Sequence, residues 1–189
     1  MPSPSNMIDD RPEENLFRVH RAAFTDPEVF EREMAEIFDR CWLYIGHESQ
    51  IPKHGDYLAA KLGRHPVFAM RGSDGKIRCF YDACSHRGSK LTGRTSGNAK
   101  TITCRYHGWC FNADGTCTLV RGGDEAYRAE DLDRMGTDLR QIEKFEDYKG
   151  FLFGCLDAGA PSLQEFLGGA LPFIDLMADQ APDGMEVLR

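Results

Sequence analysis

Four side chains near the middle of the chain are of types that bind soft metals, and they come as two tight pairs. The first pair is spaced C-x-H, in Cys84-Ser85-His86-Arg87-Gly88. The second is spaced C-x-x-H, in Cys104-Arg105-Tyr106-His107-Gly108-Trp109, and seventeen residues separate His86 from Cys104. Two metal chemistries use two thiolates and two imidazoles. A [2Fe–2S] cluster can take both thiolates on one iron and both imidazoles on the other. One ligand of each type from each loop would then let the loops grip it from opposite sides. A tetrahedral Zn²⁺ ion takes the same four ligands. Zinc fingers, however, usually pair Cys with Cys and His with His, whereas here the types alternate. A zinc-stabilised interaction module stays open as the alternative, and colour separates the two: iron–sulfur protein is red-brown, zinc protein colourless.

Ligand loops need rigid elements behind them. Val67 to Arg71 and Lys76 to Tyr81, around the turn Gly72-Ser73-Asp74-Gly75, predict a hairpin whose second strand ends at the first loop. Thr101-Ile102-Thr103 leads into the second loop. Cys110-Phe111-Asn112 and Thr116 to Val120, around Ala113-Asp114-Gly115, leave it as another hairpin. Trp42 to Ile45 and Tyr57 to Leu62 read as further strands, and Tyr148 to Leu156 as one buried strand closing the β region. A helix is expected from Thr25, with Thr25 as cap, Glu28 completing a capping box and Pro27 in the first turn. Its stripe Val29, Phe30, Met34, Ile37 and Phe38 reads as core. Residues 121–138 carry six acids against three arginines and read as a solvated surface insertion. Two short helices are expected late in the chain, Ser162 to Leu167, with Ser162 as cap and Glu165 three on, and Leu171 to Met177. Met185 to Arg189 reads as the beginning of an apolar strand. The remaining histidines, His20, His47, His54 and His65, have no partner at ligand spacing.

With 189 residues, 41% of them hydrophobic and 28% charged, the chain suits one globular domain, or one domain plus a piece of another. No apolar run approaches the ~18 residues of a transmembrane helix, and the first residues have no signal-peptide pattern. Seven cysteines, two of them in the ligand pairs, together with iron–sulfur chemistry favour a reducing cytoplasm. The net charge is −7, yet Asp82 to Cys110 holds five basic residues (Arg87, Lys90, Arg94, Lys100, Arg105) against the single acid Asp82. So small a patch, coincident with the ligand loops, argues against nucleic acid. It either offsets a cluster's negative charge or forms a docking face for an acidic electron donor.

The paired loops resemble the Rieske signature C-x-H-R-G…C-x-x-H-G-W of the large (alpha) subunits of aromatic ring-hydroxylating dioxygenases. Trp42-Leu43-Tyr44-Ile45-Gly46-His47 onward and Gly150-Phe151-Leu152-Phe153-Gly154 are similar to the same subunits, most to the benzoate and anthranilate type. The resemblance implies Cys84 and Cys104 on the inner iron and His86 and His107 on the outer. It implies a mostly β fold, a Rieske-type antiparallel β-sandwich or barrel with two cluster-binding loops, an N-terminal helix and a C-terminal helical segment. That segment would lead to an α+β catalytic domain not contained here. The expected division is a flexible tail (1–13), the Rieske domain with its helix (14–158), and the start of the catalytic domain (159–189). Oxygen chemistry in the family takes place at a mononuclear Fe(II) held by two His and one Asp. No such spacing occurs among the histidines here, so the chain alone should only transfer electrons. NADH would supply these indirectly through a ferredoxin or reductase, with the large subunits forming homotrimers, some with a small (beta) subunit. A stand-alone Rieske ferredoxin-like carrier is the alternative. Respiratory Rieske proteins are similar too, but they add a cross-linking cysteine in each loop, where this chain has Gly88-Ser89 and Tyr106. They also carry a sulfur-bonding Ser where Trp109 stands. Without that donor the potential is expected low in the Rieske range, roughly −150 mV.

Overall fold

The computed structural model describes residues 7–188. It is mostly antiparallel β, organised on one four-stranded sheet made of β4 (Asp56–Leu62), β5 (His65–Arg71), β6 (Ile77–Tyr81) and β7 (Ser96–Asn98), in the order β6-β5-β4-β7. Strand side chains alternate between faces, and β5 shows why both faces are covered. Phe68 and Met70 enter one core with Phe80, Ile102, Trp109 and Phe111, while Val67 and Ala69 enter a second with Ile45, Leu62, Cys79 and Leu152.

The first face carries a small sheet of β8 (Thr101–Thr103), β9 (Cys110–Asn112) and β10 (Cys117–Leu119), ordered β10-β9-β8. The second carries β3 (Leu43–His47), β11 (Lys144–Tyr148) and β12 (Phe151–Cys155), ordered β11-β12-β3. No sheet closes into a barrel among the described residues. The free edge of β6 is covered by the chain leading to β11, through Tyr81 N–H to Arg140 C=O (3.0 Å) and Ile142 N–H to Cys79 C=O (3.1 Å).

Several expectations need correction. The expected tail overlaps a hairpin: β1 (Ile8–Arg11) pairs in full register with β2 (Leu16–Val19), and Asn15 in left-handed conformation makes the turn possible. Residues 1–6 lie outside the described set. Tyr148 to Leu156 is two elements, because Lys149 (φ 51°) and Gly150 (φ 84°) form the two-residue turn between β11 and β12. The helix splits into α1 (Ala22–Thr25) and α2 (Pro27–Glu33), and α2 runs on into a π-helical turn, Met34–Phe38. Its cap is Asp26, whose carboxylate accepts from Glu28 N–H at 2.9 Å, rather than Thr25, which ends α1. The apolar stripe is not core. Only Met34 is buried, against the Gly63 turn, while Phe30 (50% exposed) and Ile37 (48%) face outward.

At the far end, α5 (Leu163–Leu167) starts on the expected capping box of Ser162 and Glu165, and α6 (Leu171–Ala178) follows. α5 packs Leu163 against Trp42 and Cys155, and the Trp42 indole donates to Pro161 C=O at 3.0 Å. No strand forms at 185–188. No helix among the described residues is long and apolar enough to cross a membrane.

Candidate metal centre

Both Cys/His pairs sit in loops of one construction. In the first, Gly88 N–H donates to Cys84 C=O (2.8 Å) and Cys84 N–H to Ser89 C=O (2.9 Å). In the second, Gly108 N–H donates to Cys104 C=O (2.9 Å) and Cys104 N–H to Trp109 C=O (2.8 Å). Each closure places a glycine four residues after the cysteine in left-handed conformation, at φ 69° for Gly88 and 74° for Gly108. This conformation is what selects glycine. Crowding is not the reason at Gly88, where an added Cβ would touch nothing within 4 Å.

The loops converge. Cys84 and Cys104 are buried in one core, near enough for each thiol to shift the other's ionisation. The His86 and His107 rings lie beside each other, with centroids 4.6 Å apart at 64°. All seven cysteines are free. Burial, then the adjoining Cys104, pushes the Cys84 thiol up to about 11. Burial also works against the Cys104 thiolate, but the backbone N–H groups of Tyr106 and His107 outweigh it, and its value falls. Burial and the neighbouring His107 and Arg87 lower His86, which keeps its imidazole neutral with a lone pair to give.

His86 Nδ1 is buried and has no hydrogen-bond partner. A buried polar atom of that kind is costly unless something absent from the polypeptide satisfies it. The other ring nitrogen, Nε2, lies 2.9 Å from the Tyr127 hydroxyl. The donor set therefore fits a [2Fe–2S] cluster, with two thiols to one side and an orphaned imidazole nitrogen to the other. Among the described residues no group of three or more His, Cys, Asp or Glu side chains is arranged around a single metal ion.

The supporting contacts of three residues were not foreseen from the sequence. Asp82 is buried behind the first loop and accepts from Leu91 N–H (2.9 Å), Thr92 N–H (2.9 Å) and the Thr92 hydroxyl. An acid two residues before Cys84, with Thr ten residues on, is the only signal that marked it. Trp109, 1% exposed, stacks flat on His86 with centroids 4.9 Å apart and planes 5° apart. Tyr127 belongs to the stretch expected to be a solvated insertion. That stretch instead folds as α3 (Gly123–Ala126) and α4 (Ala129–Met135), with Tyr127 and Leu132 packed on the core beside the site. Two of the remaining histidines have backbone-capping roles: His47 Nδ1 accepts from Ser49 N–H, and His20 Nδ1 from Ala22 N–H. The five cations of the loop region are all exposed. Only Lys90 has an ionic partner among the described residues, Asp82 at 4.0 Å.

Residues 41–132 match the family described as the Rieske [2Fe–2S] domain. The chain is 42% identical over 185 residues to the toluate 1,2-dioxygenase alpha subunit of Pseudomonas putida, covering 97% of this chain and 41% of that protein. It is 41% identical over 184 residues to the anthranilate 1,2-dioxygenase large subunit of Acinetobacter baylyi, covering 96% and 38%. Among solved structures, a naphthalene 1,2-dioxygenase variant bound to phenanthrene superposes with a TM-score of 0.83 at 34% identity, covering 99% of this chain and 39% of that one. The chain thus spans about two fifths of the length of the proteins it matches. Residues 41–132 are similar to the Rieske [2Fe–2S] domain, and nearly the whole chain is similar to part of the toluate and anthranilate dioxygenase large subunits.

Proposed function

We propose that this chain is the electron-receiving part of a terminal oxygenase that hydroxylates an aromatic ring bearing a carboxylate. The observation that carries this reading is the orphaned, buried His86 Nδ1 together with the Cys84–Cys104 pair. In the proposed ligand set Cys84 and Cys104 take the inner iron, and His86 and His107 the outer. The cluster, when bound, supplies a one-electron relay. The two loop closures hold the thiolates deep, and the imidazoles lie toward the exposed loop tips, so electrons enter and leave on the histidine side.

Arg87, Lys90 and Arg105 surround that side and would steer an acidic ferredoxin or reductase, itself reduced by NADH. The mononuclear Fe(II) and the aromatic substrate belong to the portion of the relatives that this chain does not span, as do homotrimer contacts and any small subunit. Toluate and anthranilate in the relatives' names motivate the carboxylate. Residues 14–158 are the proposed Rieske unit and 159–189 the passage into the catalytic domain. Seven free cysteines suit a reducing cytoplasm.

The test is iron and sulfide content with the electron paramagnetic resonance (EPR) spectrum of the dithionite-reduced protein. Two irons, two sulfides and a Rieske-type signal that disappears in H107A are expected. A colourless protein with one zinc would overturn the reading.

A further inference from the structure

We infer that Tyr127 is a positioning residue for the outer iron, its hydroxyl accepting the Nε2–H of His86 and thereby lowering the potential at which the cluster is reduced. The inference rests on the proposed cluster reading and extends it to a residue 41 positions from its partner.

With Nδ1 given to iron, the His86 proton must sit on Nε2, and the 2.9 Å contact makes the Tyr127 oxygen its acceptor. The ring is fixed from three directions. Trp109 lies flat beneath it, His107 meets it at 64°, and Tyr127 stands edge-on to both His86 (85°) and Trp109 (80°). Tyr127 is held in turn by its N–H to Gly123 C=O (3.0 Å) at the end of α3, and by packing on the site's own core. The insertion 121–138 therefore brings a hydroxyl to one of the two histidines. The His107 ring has no hydrogen-bond partner among the described residues, although the Tyr106 ring lies tilted against it at 33°, centroids 3.7 Å apart.

An acceptor on the remote nitrogen of a coordinated imidazole raises the basicity of the ligating nitrogen. A more basic ligand favours the oxidised cluster, and so lowers the potential. Tyr127→Phe keeps the ring and its edge contacts and removes only the acceptor. Its reduction equilibrium constant is expected to rise two- to fivefold, a midpoint shift of about +20 to +40 mV at 59 mV per tenfold for one electron. The control is L132A, which loosens packing on α4 and leaves the hydroxyl in place. Its midpoint is expected to stay at the wild-type value.

The experiment is a redox titration of iron-loaded wild-type, Y127F and L132A protein, monitored by visible absorbance and EPR. A Y127F midpoint equal to or below wild type, with the cluster intact, overturns the inference. So does an equal shift in L132A, which would make the effect one of packing. If Y127F does not retain iron, pulsed EPR on reduced wild-type protein decides. Two inequivalent remote histidine nitrogens support the inference, and two equivalent ones overturn it. Failure of the cluster reading looks different, since wild-type protein itself then shows no Rieske-type signal.

Discussion

Replacing Asp82 with Ala is expected to loosen the first ligand loop more than any other single change outside the four ligands. The carboxylate is 2% exposed and accepts from Leu91 N–H, Thr92 N–H and the Thr92 hydroxyl. Hydrogen bonds to a charged acceptor contribute about 1.5–3 kcal/mol each, and a buried N–H left without a partner costs about 1–3 kcal/mol. The three bonds share one acceptor and are not additive, so D82A should cost ~3–5 kcal/mol, a large part of the ~5–15 kcal/mol that stabilises a domain. Asn at the same place keeps one oxygen for both N–H groups and an amide for the hydroxyl oxygen, and should cost only ~1 kcal/mol. The assay is equilibrium urea unfolding of cluster-free protein by tryptophan fluorescence, alongside cluster content per chain after anaerobic loading. D82A should unfold at markedly lower urea and hold little cluster, with D82N close to wild type. A D82A variant within 1 kcal/mol of wild type with full cluster content would refute the clamp.

Further outcomes follow from other contacts. G108A forces a Cβ into left-handed backbone beside Arg121 and should cost ~1–2 kcal/mol, measured as faster cluster loss under chelator. The double charge reversal R87E/R105E should slow reduction by an acidic ferredoxin and weaken its dependence on salt, read by stopped flow at several ionic strengths. Burial works to raise the Glu143 carboxyl, but hydrogen bonds from Tyr81 and Arg140 outweigh it and hold it below its ordinary 4.5. A depressed carboxyl contributes stability above its unfolded value and loses it as pH falls through the folded value. E143Q should therefore flatten the acid side of a stability–pH curve below about pH 4.5. Ser162→Ala removes the cap of α5 and should cost ~1 kcal/mol in thermal denaturation.

The paired loops of the candidate site were legible because their information is local. A cysteine, a histidine and a glycine within five residues, written twice, set the shape of both loops. The Ser162–Glu165 capping box was legible for the same reason. What the sequence hid was direction and distance. Periodicity announced the helix carrying Phe30 and Ile37, but could not say that only Met34 of its stripe is buried, at the Gly63 turn. The apolar run from Tyr148 concealed a turn, because Lys149 is not a residue one expects at positive φ. Asp82, Trp109 and Tyr127 gain their roles from partners 9 to 41 residues away, across loops with no periodic pattern.

The measurement that bears most directly on the central claim is hyperfine spectroscopy of the reduced, iron-loaded protein labelled with ¹⁵N-histidine. Coupling from two histidine nitrogens is expected in wild type, with one lost in each of H86A and H107A or the cluster lost altogether. A reduced cluster showing no histidine coupling, or an unaltered spectrum in both variants, would contradict the assignment of His86 and His107 to the outer iron.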